Sequence, residues 1–231
     1  MASSDIQLIP YILSNIAQVG IKSVLDIGIG FGKYGYLIRD YQDLMKAESP
    51  EEFKRENWRL KIDGIEAFGE FITDRQHVSY DNIHIGDARE ILPTLGNYDC
   101  IILVATLIHM SREDGMKLIR TMYEHCNKFV LFTAPPQVLP QDDVFGNPYE
   151  VHHDVVWKPE DLEEFPELVH GNTFKAKTQM FILPKPGVKM RFVDLFAPTP
   201  FVTRMRPYVK AVVGERVARA IGAVIHHRER S

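Results

Sequence analysis

Cysteine is scarce: Cys100 and Cys126 are the only two among 231 residues, which excludes the disulfide framework that staples small secreted domains. A reducing, cytoplasmic setting is the expectation. Long apolar runs are missing too. No stretch comes near the ~20 residues that a membrane span needs, and Met1 to Asp5 carry no basic segment of the signal-peptide type. Excess charge is small overall, at −4, but unevenly spread: residues 201–231 hold seven Lys/Arg against two Glu, which leaves residues 1–200 at −9. An acidic body is a poor match for a phosphate backbone, whose binding rests on Lys/Arg neutralisation, so nucleic acid is not an expected partner.

What is present is an ordinary packed composition, 45% hydrophobic and 25% charged, in a chain long enough for one substantial core and an appendage. Short apolar runs rich in β-branched residues predict strands at Ser23 to Ile29, Leu60 to Glu66, Asn82 to Ile85, Tyr98 to Val104 and Lys128 to Ala134. A late strand is expected over Phe174 to Leu183. Helix-period segments alternate with them at Ile6 to Val19, Lys33 to Asp43 and Ser111 to Asn127, with a short helix from Lys158 to Glu167. Such alternation predicts an α/β fold, a mostly parallel sheet with helices on both faces. Residues 47–57 read as a solvated connection. Gln141 to Trp157, rich in Asp, Asn and His, is long enough for a lid or binding loop.

The segment Asp26-Ile-Gly28-Ile-Gly30-Phe-Gly32-Lys33 runs from a strand through glycines into a helix. Glycine there lets the backbone turn sharply and touch a ligand, and the helix start offers N–H groups to a nucleotide-like molecule. Gly30, Gly32 and Gly35 also satisfy the dinucleotide pattern G-x-G-x-x-G, so an NAD-dependent oxidoreductase is one reading. Three acids at successive strand ends favour another. Asp26 would be awkward beside a pyrophosphate but useful beside the ammonium of a methionine moiety. Glu66 can accept from both hydroxyls of a ribose, which suits either cofactor. Asp87 can accept from an adenine amino group, with Ala67 and Phe68 giving apolar contact to the ring.

On these residues the sequence resembles the class I S-adenosylmethionine (SAM)-dependent methyltransferases over roughly residues 20–135, which implies a Rossmann-like, doubly wound, mostly parallel seven-stranded sheet. It is also similar to a bacterial subgroup with Asp-Ile-Gly-x-Gly-Phe-Gly-Lys early and Gly-Asn-x-Tyr-Glu-x-His late, here Asp26 to Lys33 and Gly146 to His152. The resemblance implies a cofactor loop of Asp26, Gly28, Gly30, Gly32 and Lys33, a ribose ligand in Glu66, and an adenine pocket of Ala67, Phe68, Asp87 and Ala88, with Ala105 adjoining. There is one departure. Where many relatives have Asp-x-x-Glu-His after the fourth strand, this chain has Ala105-Thr-Leu-Ile108-His109. A catalytically silent SAM-binding module is therefore the alternative to an enzyme that methylates a small molecule or sugar hydroxyl.

On the acceptor side, His109 and His152 are the candidate bases, and Asn147, Tyr149 and Glu150 the candidate substrate contacts. His152 and His153 are adjacent, so in extended chain they point to opposite sides, and His152 is the expected member. Asp142, Asp143, Glu150 and His152 match no metal-ligand spacing, and no metal is expected. The division expected is 1–187 for the sheet domain and 188–231 for a basic extension. Val209, Val212, Val213, Val217, Ala220, Ile221, Val224 and Ile225 recur there at helical spacing. An amphipathic helix of this kind can dock on its own domain, on a second subunit in a homodimer, or on an anionic membrane.

Overall fold

The computed structural model describes residues 4–173 and 177–195. The chain divides into two compact units, 1–193 and 194–231. The amphipathic helix expected over residues 209–225 lies outside the described residues, as does the start of the strand expected from Phe174. Residues 188–193 belong with the first unit: Val193 N–H donates to Asn15 Oδ1 at 3.1 Å, and Phe192 stacks on Tyr11 with ring centroids 5.9 Å apart.

In the first unit α1 (Leu8–Ile16) precedes β1 (Ser23–Ile27) and α2 (Lys33–Arg39), and β2 (Lys61–Glu66) leads to α3 (Asp74–Ser79). Then come β3 (Asn82–Ile85), α4 (Ala88–Ile91), β4 (Tyr98–Leu103), α5 (Arg112–Glu124) and β5 (Cys126–Ala134), with β6 (Val169–Asn172) and β7 (Gln179–Pro184) last. The sheet order is β3-β2-β1-β4-β5-β7-β6. The first five strands run parallel, whereas β7 lies antiparallel between β5 and β6. Sequence reading missed β6, α3 and α4, which are six residues or fewer and carry too little periodicity to stand out.

Both faces of the sheet are covered, so its central strands are largely apolar rather than alternating with polar residues, Asp26, Asp63 and Thr133 being buried exceptions. The pleat still sorts them. Leu25, Ile27, Ile101, Leu103, Val130 and Phe132 join α4 and α5 in one core, while Val24, Ile62, Cys100, Ile102, Phe129 and Leu131 join α1 and α2 in the other. Arg39, 2% exposed, ties α2 down by donating to Asp43 at 2.8 Å, to Asp81 at 2.9 Å and to the Leu60 and Ser79 carbonyls.

Pleat parity decides where Asp26 goes. It shares a face with Val24, so its carboxylate enters the core under α2 and is 2% exposed. Tyr80 Oη donates to Asp26 Oδ2 at 2.6 Å and accepts from Gly35 N–H at 3.0 Å. Gly35 is required there, because a Cβ would stand 2.1 Å from the Tyr80 ring. Burial pushes the Asp26 carboxyl up to about 7, against the pull of the Tyr80 hydrogen bond. A carboxyl raised in the folded state contributes stability that is complete below its unfolded value near 4 and is lost as pH rises through 7. Asp26→Asn removes that loss. In denaturant titrations the variant should gain on the wild type by up to roughly 4 kcal/mol between pH 4 and pH 8; a pH-independent difference would refute the assignment.

Candidate functional site

At the carboxyl ends of β1, β2 and β4 lies a crevice of about 290 Å³, close to the lower end of the small-molecule range. Its floor is the turn from β1 into α2. Gly28, Gly30 and Gly32 have φ of 73°, 50° and 78°, a region where side chains are strained. β2 holds this turn: the Gly28 and Ile29 N–H groups donate to Ile65 O at 2.8 and 3.2 Å, and Gly30 N–H donates to Glu66 Oε2 at 2.8 Å. Gly28 is also needed for packing, since a Cβ would come within 2.4 Å of Thr106 Oγ1. The loop amides expected to face a ligand are thus largely spent on the protein itself.

Glu66 is the best placed of the three acids. It is 6% exposed, lines the crevice, and its other oxygen accepts from Phe68 N–H at 3.0 Å. Burial raises its carboxyl above the usual range despite those two hydrogen bonds. Each carboxylate oxygen can accept twice, so the pair keeps capacity for the two donors of a vicinal diol. Asp26, by contrast, does not line the crevice: it supports the loop from beneath, and the direct ligand contact expected of it is corrected by its pleat position. Gly32 likewise faces away, toward Gln76.

The aromatic wall differs from the expected one. Ala67 lines the crevice, but the Phe68 ring packs edge-on against Phe71 at 5.0 Å, and it is Phe71 and Phe31, 5.2 Å apart, that face the space. Phe71 ends a 3-10 turn that no periodicity betrays. Asp87 and Ala88 reach the wall, yet Asp87 caps α4 and both its oxygens take hydrogen bonds from Arg89, two of them at 3.0 Å. Those contacts hold its carboxyl below the usual range. Arg89 also pairs with Asp114 at 3.0 Å, so it is an unforeseen part of the wall that leaves Asp87 less free to accept. Lys33 lines the crevice with its ammonium donating to Ser4 O at 2.6 Å.

The other end is built from the turn after β4 and the long loop. Ala105 adopts φ 56° with its N–H on Thr133 Oγ1 at 2.9 Å; Ile108, at one position that lost an acid, is buried. His109, Asn147, Tyr149 and Glu150 line the space. His109 Nδ1 lies 3.3 Å from Val151 O, so it must donate there, and Nε2 carries the lone pair. Burial lowers its pKa, with Glu150 pulling the other way. Of the adjacent histidines it is His153 that lines the crevice. His152 does not line it, although its ring lies 4.8 Å from that of His109; its backbone N–H donates to Gln141 O at 3.0 Å and its Nδ1–H to Leu139 O at 2.5 Å, so the crevice-lining member of the pair is not the expected one.

No protein-family model matches the sequence, and no curated protein does. Solved structures do. A provisionally assigned O-methyltransferase of Nostoc punctiforme PCC 73102 superposes with TM-score 0.53 at 17% identity, over 78% of this chain and 55% of that one, so this chain spans about half its length. Magnesium protoporphyrin IX methyltransferase from Synechocystis PCC 6803, with bound SAM, gives 0.51 at 12% identity over 78% of each chain. The small RNA methyltransferase HEN1 gives 0.51 at 15% identity, over 80% of this chain and 26% of that one. With its antiparallel β7 between β5 and β6, the sheet unit has the Rossmann-like fold of the SAM-dependent methyltransferases.

Proposed function

We propose that the crevice binds SAM and that the protein transfers its methyl group to a hydroxyl of a small molecule or sugar. The observation that carries this reading is Glu66: a buried carboxylate at the end of β2, hooked to Gly30 and Phe68 N–H groups, with acceptor capacity left for a ribose diol. Phe31, Phe71 and Ala67 supply the apolar wall that an adenine would need. An NAD-dependent oxidoreductase fits less well, because the usual dinucleotide sheet is 3-2-1-4-5-6, without an antiparallel seventh strand inserted beside β5. The acidic body supports a small acceptor over a polynucleotide, although one structural neighbour is named for small RNA.

When bound, SAM supplies a methyl on a good leaving group, so the protein's tasks are alignment, exclusion of water and removal of the acceptor's proton. His109 suits the last. Its Nδ1–H is committed to Val151 O, which points the basic nitrogen elsewhere, and burial lowers the pKa of the ring, which favours its neutral form. Asn147, Tyr149 and Glu150 are the acceptor contacts of this reading.

Calorimetry should find SAM binding to the full chain, weakened about tenfold or more by Glu66→Gln through loss of charged hydrogen bonds; no binding to the wild type rejects the reading. Incubation with methyl-labelled SAM and fractionated metabolites, glycans and proteins should label a hydroxylated fraction. With that acceptor the acidic limb of the pH–rate profile should fall below the usual histidine value, and His109→Gln should lower the rate ~10²-fold or more. A rate unmoved by that substitution would remove His109 from the chemistry.

A further inference from the structure

Among the described residues two non-glycine positions have left-handed backbone, Ala105 and Phe145, each with φ of 56°. Ala105 lines the crevice. Phe145 stands at the tip of a tight turn, in which Val144 and Asn147 form an antiparallel bridge, Asn147 N–H donates to Val144 O at 3.1 Å, and Gly146 follows with φ 76°. Two central residues at positive φ make this the type I′ arrangement, whose first central position favours Asn, Asp or Gly. Phenylalanine is a costly choice there. It strains the backbone, and its ring is 89% exposed, more than any other large apolar side chain of the described residues.

The turn is not an idle loop tip. Its closing residue, Asn147, is 1% exposed, lines the crevice, and has Oδ1 fixed by Tyr149 N–H at 2.9 Å. Phe145 is therefore two residues, at most about 7 Å of backbone, from the crevice wall. The backbone of the same loop is secured further on: His153 N–H donates to Ile108 O at 2.9 Å, and Trp157 is buried in the core at 1% exposure. A strained, exposed ring on an anchored turn has no packing role to explain it, and strain of this kind collects at ligand sites.

Resting on the methyltransferase reading, we propose that Phe145 is a specificity-determining platform on which the ring of a pyranose-bearing acceptor stacks. The crevice residues that follow it along the same loop select that class. Asn147, Tyr149, Glu150 and His153 offer amide, phenol, carboxylate and imidazole within one short segment, which suits a ring that carries hydroxyls on its edge and C–H groups on its face. A flat apolar acceptor would leave those groups desolvated and unpaired.

The test uses the full chain saturated with S-adenosylhomocysteine and a panel of methyl pyranosides, matched acyclic alditols and catechol, read by saturation-transfer NMR. Pyranosides should show saturation on ring C–H protons, retained in Phe145→Tyr and reduced about fivefold in Phe145→Ala and Phe145→Asn. Phe145→Asn should at the same time raise the melting temperature by about 2–4 °C, since asparagine suits the turn, and should leave S-adenosylhomocysteine affinity unchanged. Equal pyranoside saturation in wild type and Phe145→Ala, preference for catechol or alditols, or a lower melting temperature in Phe145→Asn would each overturn the proposal. Failure of the wild type to bind S-adenosylhomocysteine would instead defeat the reading of the crevice, and the stacking proposal with it.

Discussion

The site depends on one buried carboxylate joining two strand ends. Glu66 closes β2, and its two oxygens take the N–H of Gly30 from the turn after β1 and the N–H of Phe68 from its own loop. Burial makes that charge expensive, as its raised pKa records, and the two amides offset only part of the cost. What remains is acceptor capacity in an apolar setting, a demand for donors that a diol meets. The same hook shapes the surroundings. Gly30 is held where Gln76 Nε2 can reach its carbonyl at 2.8 Å, and Phe68 is held where its ring backs Phe71.

Much of this was legible because pleat and turn chemistry are local. The strand-turn-helix at Asp26 to Lys33 and the acid ending β2 are patterns of residue type and spacing, and they came out where the residues put them. Which way a side chain points is less local. Asp26 is a strand-end acid in the sequence, but its register partner on β2 is Gly64, and the absence of a side chain there admits the Tyr80 ring, which then claims the carboxylate. Which of His152 and His153 lines the crevice is a tertiary matter, with the His152 N–H on Gln141 O and the His153 N–H on Ile108 O holding that stretch of loop from two sides.

The least legible parts come from elements too short to be periodic. Phe71 and Arg89 sit in one-turn structures after β2 and β3, and the wall they build is a tertiary fact. The long loop shows the reverse case. Its polar composition marks it as a loop, yet Trp157 drives its end into the core against Gly115 of α5, where a Cβ would lie 2.7 Å from the indole. Glycine inside a helix costs about 1 kcal/mol relative to alanine, and here it makes room for that anchor. The loop is thereby fixed at its base and carries Asn147, Tyr149 and Glu150 to the crevice.

The central claim is that Glu66 is poised for a pair of ribose hydroxyls. Comparing the affinity of the full chain for S-adenosylhomocysteine and for its 2′,3′-dideoxyribose analogue tests it most directly. The account predicts that removing both hydroxyls weakens binding by about tenfold or more, because the buried carboxylate is left without its donors. Equal affinity for the two ligands would contradict it.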